Sequence, residues 1–575
     1  MEKKWLIKNG QEQSKIEALR AELKVDRIVA ELLLQRGIDD FKKAQEFFRP
    51  DLDNLHDPFL MKDMDKAVAR IMQAIKNKER ILLFGDYDVD GTTAVALLFS
   101  ILKEYLPSIE YYIPDRYAEG YGVSFQGIDF AYSNKQTLII ALDCGIKAND
   151  KVAYAKEKGI DFIICDHHEP GEELPACIVL DPKRKDCLYP FKELSGCGVG
   201  FKFLQGFLQK SKIPLTKLFN ELDLVAISIG ADIVPIVAEN RILCFHGLKL
   251  LNAKPRIAFQ ELLDLAGKEM PLSLTDVVFI IAPRINAAGR LRSGKMAVEL
   301  MISSDLDELK HLALEINSDN TERKGLDQQI TKEALQQIEK DPGFSMRCST
   351  VVFDPSWHKG VVGIVASRLI EKHYRPTIVL TESEGIVSGS ARSVRNFDLY
   401  KALLSCEDLM EQFGGHTHAA GMSMKLENLA AFKVRFEEYV QNNLALEDRI
   451  PTQALDISID LNEIHGNESP LVIPRMKRII EDFEPHGPGN MKPVFYSSNL
   501  YSTEVRVLKE AHLKLKVTQA NSRLIYDAIG FNMALKENQV ARGLPFEMAY
   551  TLETNEYKDK KMIQFNIKDI REQIQ

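Results

Sequence analysis

From Ile81 onward, short apolar runs alternate with stretches of helical periodicity. The runs Ile81–Phe84, Leu138–Leu142, Phe162–Cys165 and Ile178–Leu180 are continuously apolar, as strands buried on both faces are, and Ile109–Ile113 departs from this only at Glu110. Helical stretches such as Asp150–Lys158 separate them. Strands alternating with helices predict βαβ units and a parallel sheet. Upstream, Ser14–Arg36 and Met64–Ile75 carry apolar residues at helical spacing, with Gly37 as a stop. Residues 1–80 are therefore expected to be mostly helical and to pack against the first sheet. Residues Asp305–Asp341 are polar and helix-prone. They predict a long connecting helix, broken near Gly325, that ends at Asp341-Pro342-Gly343. A fresh α/β pattern fills 346–445. From Thr452 the pattern turns to short alternating strands with turns, which predicts a small β-barrel. The expected division is an α/β catalytic domain with a helical N-terminal segment (1–304), a connecting helix (305–345), a second α/β domain (346–445) and the barrel (452–575).

Composition narrows the class. A chain of 575 residues with 45% hydrophobic and 27% charged residues predicts a soluble protein of several domains. No run reaches the ~18 apolar residues of a membrane span. The N-terminus MEKKWLIKNG lacks the apolar region of a signal peptide, and the 8 cysteines lack metal spacing. A cytoplasmic, reduced protein is expected, with no membrane association. The net charge of −9 argues against indiscriminate coating of nucleic acid but leaves room for a locally basic groove.

The candidate chemistry lies where the apolar runs end. ILLFG is followed by Asp86, Asp88 and Asp90 at alternate positions, and LIIAL by Asp143. FIIC is followed by Asp166, His167 and His168, and the apolar segment Leu224–Ala231 by Asp232. Taken singly, a strand-end Asp is a turn or cap residue. Repeated along one sheet edge, these groups predict a metal site made by Asp86, Asp88, Asp90, Asp143, His167 and Asp232. Carboxylates and imidazole without thiolates favour Mn²⁺ or Mg²⁺, and the histidines tilt the choice toward Mn²⁺. So many ligands predict two ions, the arrangement that clamps a phosphoryl transfer. CGVGFKFLQ, at Cys197–Gln205, is a Gly-rich helix start that could offer N–H groups to an anion, with tight packing the preferred expectation.

GDYDVDG at Gly85–Gly91 and the Asp-His-His triplet at Asp166–His168 resemble the DHH phosphoesterase superfamily. The resemblance continues through IPDRYAEGYG (Ile113–Gly122), RINAAGR (Arg284–Arg290), WHKGVVGIVASRL (Trp357–Leu369), SGSARS (Ser388–Ser393) and GGHTHAAG (Gly414–Gly421). Within the superfamily the chain is similar to the bacterial single-strand-specific 5′→3′ exonucleases. Phe84, where the manganese pyrophosphatase branch carries His, counts against that branch. The resemblance implies a parallel-sheet DHH domain, a DHHA1 domain and a C-terminal OB-fold, and a role in recombination and repair. It also implies that the extra C-terminal domain of longer relatives is missing. Asp88, Asp90, Asp143, His167, His168 and Asp232 would be the catalytic set. Arg116, Tyr121, Arg284, Arg290, His358, Ser390, Arg392 and His416 would contact DNA. Arg116, Ser390 and Arg392 among them would hold the terminal 5′-phosphate, and His416 would face the metals across a narrow cleft. EPHGPGNMKPVF (Glu484–Phe495) resembles the family's EPFGxGNPxPxF, with His486 and Met491 as departures.

In the barrel, Lys514, Lys516, Tyr526, Phe531 and Tyr550 offer the cations and aromatics with which OB-folds bind single strands. The resemblance implies single-stranded DNA as the substrate, a monomer as the state, and single-strand-binding protein and a RecQ-type helicase as partners. The alternatives are a phosphodiesterase acting on short oligonucleotides or cyclic dinucleotides, whose relatives lack the barrel, and a catalytically dead binding module. The intact acidic set argues against the latter.

Overall fold

The computed structural model describes every residue except Met1, Asn9, Glu384, Leu471, Arg542, Lys558, Asp559, Ile574 and Gln575. The chain forms two compact units, residues 7–317 with 455–575 and residues 318–454 with 1–6.

The larger unit is built on a parallel sheet of five strands, β1 (Ile81–Gly85), β2 (Ile109–Tyr112), β3 (Leu138–Leu142), β4 (Asp161–Cys165) and β5 (Ile178–Leu180), in the order β2-β1-β3-β4-β5. The expected strands are present, Ile109–Ile113 ending a residue early. Their continuous apolarity has a direct cause. Leu83 and Ile140 enter one core with the helices α1 (Val89–Leu102), α2 (Gly196–Lys210) and α3 (Leu222–Ala231). Phe84 and Ala141 enter another with the helices Phe125–Ser133 and Asn149–Glu157. Strand order reverses between β1 and β3, and the crevice beyond the carboxyl ends at such a point is where open α/β sheets bind ligands.

The expectation that residues 1–80 pack on this sheet holds only in part. Met64–Asn77 does so through Met64, Val68 and Ile71. The helices Gln13–Leu23, Arg27–Leu34 and Phe41–Phe48 instead share a core with the C-terminal barrel, through residues such as Leu19 and Leu33. Amphipathicity gives a helix an apolar face but does not say which partner covers it.

The barrel strands are Phe495–Leu508, His512–Gln519, Tyr526–Gly530, Phe546–Tyr557 and Lys560–Glu572. The first pairs with both the second and the fourth, so the sheet closes. Tyr526 and Tyr550 stack on Phe565 inside it and are core residues, not strand-binding ones. Lys514, Lys516 and Phe531 are exposed.

The connecting helix is continuous over Leu306–Glu339. The expected break at Gly325 is missing because a solvent-facing glycine keeps its helical hydrogen bonds and costs only about 1 kcal/mol. The smaller unit carries a mixed five-stranded sheet in the order Gln412–Gly415, Ala419–Lys425, Ile386–Arg392, Thr377–Ser383, Thr350–Phe353. The helices Leu429–Asn443 and Val362–Lys372 belong to its two cores.

Candidate metal centre

The acidic groups meet beyond the carboxyl ends of β1, β3 and β4. After β1 the chain folds back so tightly that a Cβ on Gly91 would lie 2.5 Å from the backbone N of Asp86. Asp88 caps α1, its Oδ1 accepting the Gly91 N–H at 3.1 Å. Asp90, in the first turn, reaches the N-terminus of α2. Its Oδ2 accepts from Gly196 N at 2.7 Å, and its Oδ1 from Cys197 N at 2.8 Å and Ser228 Oγ at 2.6 Å. The Gly-rich start of α2 thus does both expected things, packing Gly200 against Leu98 and offering its N–H groups to an anion, the chain's own carboxylate.

Asp143 follows β3 in the left-handed region at φ 60°. A Cβ on Gly196 would sit 2.5 Å from its Oδ1, so glycine there makes room for this carboxylate. His167 follows β4, and its Nε2 lies 3.2 Å from Asp143 Oδ1, 3.5 Å from Asp232 Oδ2 and 3.7 Å from Asp90 Oδ2. Asp232 arrives from the C-terminus of a buried helix, α3, and not from a strand.

Both carboxylate oxygens of Asp86, Oδ1 of Asp143 and Nε2 of His167 are buried without a well-aligned hydrogen bond among the described residues. Burial, reinforced by the neighbouring carboxylates, raises the pKa values of Asp86, Asp88, Asp143 and Asp232, the last to about 8. Burial lowers that of His167. Crowded, mutually repelling acids with orphaned oxygens are groups that a cation would satisfy. Ligand atoms within 4.8 Å of one another form three sets: Asp86, Asp88 and Asp143; Asp90, His167 and Asp232; Asp143, His167 and His168. These donors fit hard divalent ions such as Mn²⁺ or Mg²⁺, and Asp143 belongs to sets that could hold separate ions.

Asp166 takes a different part. Its Oδ1 accepts from His167 N (2.8 Å) and His168 N (3.2 Å) and stands 2.7 Å from His168 Nδ1, while Oδ2 accepts from Ile146 N at 2.9 Å. Burial opposes its charge, yet these bonds hold its pKa down at about 2. His168 rises to about 9: burial works against the imidazolium, and the Asp166 carboxylate outweighs it. The Tyr121 hydroxyl lies 3.0 Å from His168 Nε2.

The rim is formed by the loop Ile113–Gly122. Glu119 fastens it, accepting from Tyr112 Oη, Asp115 N and Ser124 Oγ. Arg116 lies over the Tyr87 ring at 4.7 Å, and Tyr87 meets Tyr121 edge to face. The Arg290 carbonyl accepts the Tyr117 hydroxyl. Arg284 is buried and donates to Asn317 Oδ1 at 3.1 Å and Ile280 O at 2.7 Å, partners that tie it into helix packing.

The remaining expected residues belong to the smaller unit. Arg392 donates to Ser390 Oγ at 2.7 Å. A Cβ on Gly363, in the first turn of Val362–Lys372, would stand 3.1 Å from both Arg392 Nη2 and Ser390 Oγ. The pair therefore faces a helix N-terminus, a setting that suits an anion. His358 Nδ1 accepts the Gly360 N–H, and His416 is exposed beside the hairpin it closes with Ala419.

Asp166, Tyr87 and Glu119 lie inside the quoted motifs but carried no role there, and Ser228 lies outside every motif. Ser228 had a readable signal, because it lies four residues before Asp232 on one face of α3.

Comparison with known proteins agrees with this architecture. Residues 80–229 match the DHH family, N-terminal domain; 345–442 match the DHHA1 domain; 458–569 match the RecJ OB domain. The single-stranded-DNA-specific exonuclease RecJ of Bacillus subtilis is 37% identical over 98% of this chain and 70% of its own length. The crystal structure of Thermus thermophilus RecJ in complex with Mn²⁺ superposes with a TM-score of 0.84 at 27% identity, covering 100% of this chain and 80% of that one. The same protein with Mg²⁺ gives 0.78 at 26% identity, covering 100% and 79%.

Proposed function

This chain belongs to the RecJ family, and we propose that it is a metal-dependent exonuclease that digests single-stranded DNA from its 5′ end to mononucleotides. The observation that carries this proposal is the gathering of Asp86, Asp88, Asp90, Asp143, His167 and Asp232 around orphaned oxygens at one sheet edge. These residues would hold two ions, Mn²⁺ or Mg²⁺. When bound, such a pair supplies Lewis-acid charge against the phosphodiester and makes a nucleophile of water near neutral pH.

The chain's own residues supply the rest. Asp166 orients His168 and favours its cationic form, and Nε2, which the Tyr121 hydroxyl meets at 3.0 Å, can turn its N–H from that hydroxyl to a phosphate oxygen or to the departing oxygen. Arg116, placed over the Tyr87 ring, offers a phosphate its planar fork. Ser390 and Arg392 take the terminal 5′-phosphate, Tyr121, Arg290, His358 and His416 contact the strand, and the buried Arg284 supports the helix that carries Arg290. The barrel grips the strand through Lys514, Lys516 and Phe531. Its presence favours a polymeric substrate over a cyclic dinucleotide. The enzyme acts in DNA recombination and repair, as a cytoplasmic monomer that works with single-strand-binding protein and a RecQ-type helicase.

The test is digestion of end-labelled DNA with Mn²⁺ or Mg²⁺. A 5′-labelled single strand should release labelled mononucleotide from the earliest time points, while blunt duplex stays intact. Release first from a 3′ label, or equal loss of duplex, would overturn the assignment.

A further inference from the structure

Asp232 is followed by Ile233, which takes a left-handed φ of 60°, and then by Val234, Pro235 and Ile236, with Val234 and Ile236 buried. This segment is fastened to a distant part of the chain. Ile236 N donates to Pro488 O at 2.7 Å, in the turn Glu484–Asn490 that leads into the barrel. The approach is close: a Cβ on Gly487 would fall 2.5 Å from Ile236 Cγ1, and one on Gly489 2.9 Å from Val237 Cγ1. The turn is in turn locked from within. Asn490 Nδ2 donates to Phe483 O at 2.7 Å and Pro485 O at 2.9 Å, and its Oδ1 accepts from Arg36 Nε at 2.8 Å. Arg241, at the start of the helix that follows Ile236, donates to Phe483 O at 2.9 Å. On the other side, Asn240 Nδ2 holds Pro235 O at 3.1 Å.

We propose that Gly487 is a positioning residue for Asp232: its missing side chain lets the barrel-linking turn seat Ile236, and thereby sets the carboxylate four residues earlier at the metal site. The proposal deepens the function given above and rests on the metal-centre assignment. Metal ligands tolerate misplacement of only ~0.5 Å, whereas a methyl group on Gly487 demands a shift of about 1 Å. The φ of Gly487 is not in the left-handed region, so its replacement by Ala acts through space alone. Loss of a supporting residue beside a metal ligand typically costs about 10- to 100-fold in affinity.

The experiment measures Mn²⁺ affinity of the full chain by titration calorimetry, with far-UV circular dichroism as the check on folding. Gly487→Ala is expected to raise the Kd for the weaker ion at least about tenfold. Gly487→Ala combined with Ile236→Ala removes the Cγ1 and Cδ1 atoms that the new methyl meets, and should restore the Kd to within about threefold. A wild-type Kd in folded Gly487→Ala overturns the proposal, as does a double variant no better than the single one. If Gly487→Ala does not fold, Asn490→Ala decides. It loosens the turn without a clash and should raise the Kd about threefold or more, an unchanged Kd again overturning the proposal. Failure of the wild-type chain to bind Mn²⁺ would instead overturn the metal-centre assignment itself.

Discussion

The carboxylate of Asp166 lies 2.7 Å from Nδ1 of His168 and is buried, so one buried anion orients the imidazole beside the acidic cluster and favours its cationic form. Asp166→Asn keeps the shape but sets an amide against the Ile146 N–H that Oδ2 now accepts. Turnover on saturating single-stranded DNA should fall by roughly 100-fold or more, the range of a displaced general acid or hydrogen-bond donor. Stability should fall by about 1–3 kcal/mol from the unsatisfied buried donor. Mn²⁺ affinity should fall by no more than about 10- to 100-fold, the cost of losing a support beside a ligand, because Asp166 holds His167 without being a ligand itself. Steady-state kinetics and calorimetry on the same preparation check this. A loss of Mn²⁺ affinity beyond about 100-fold would show Asp166 to be a ligand.

Asp143→Asn should separate metal binding from folding. Asn tolerates the left-handed backbone that Asp143 adopts, so the exchange adds little strain. It also removes a carboxylate whose charge is opposed by burial and by Asp90, Asp88, Asp232 and Asp86. Without metal, the variant's melting temperature should match or exceed that of the wild type. Its metal affinity should fall by more than about 100-fold, beyond what loss of a supporting residue causes. Near-normal cleavage at low Mn²⁺ would remove Asp143 from the proposed metal ligands.

His486 provides a pH test away from the metals. Burial pushes its pKa down to about 3, with Lys492, Arg36 and Arg241 opposing a further positive charge, while Asn490 O accepts from Nδ1 at 3.3 Å. The unfolded chain takes up a proton near the ordinary value of 6.5, and the folded chain does so only near 3. Stability is therefore constant above about pH 6.5 and declines as pH falls from there toward 3. Between pH 6.5 and 4.5 this one group should account for about 1–2 kcal/mol, given partial solvent access. The family pattern has Phe at this position, and His486→Phe should abolish that share. Urea denaturation of both proteins at several pH values measures it, and parallel pH curves for the two would show that His486 titrates freely.

Much of this was legible in the chain. Continuous apolar runs mark the β1–β5 sheet because helices cover both faces, and the acids at their ends mark the site because strand ends converge at the switch point. Other features were not legible. Leu19 and Leu33 read as any helical core residues, and only the fold reveals that the barrel covers them. Tyr526 and Tyr550 have the composition of a binding face but the alternation that turns them inward. Glu119 fastens Arg116 and Tyr121 through contacts to Tyr112 and Ser124, which no spacing rule predicts. The shared core also changes what a truncation means. Removing 452–575 alone would strip the partners of the first three helices, so a barrel-free enzyme needs residues 1–50 removed as well.

The last prediction concerns polarity. Arg392 is proposed to bind the terminal 5′-phosphate with Ser390, whose hydroxyl it already holds at 2.7 Å. Arg392→Ala should therefore cost more on 5′-phosphorylated single strands than on 5′-hydroxyl strands. A charge-assisted phosphate contact contributes roughly 1.5–3 kcal/mol, a selective loss of about 10- to 150-fold. Arg392→Lys should recover only part, because a point charge lacks the planar fork and cannot keep the Ser390 contact in the same geometry. Ser390→Ala should show the same preference more weakly, since it leaves the cation in place and removes only its alignment. Both substrates share the metals and the barrel, so the comparison isolates the end group. Initial rates on the two substrates with wild type and each variant provide the measurement. An equal loss on both would assign Arg392 to the general backbone path or to support of the strand Ile386–Arg392, and the 5′-end pocket would then lie elsewhere.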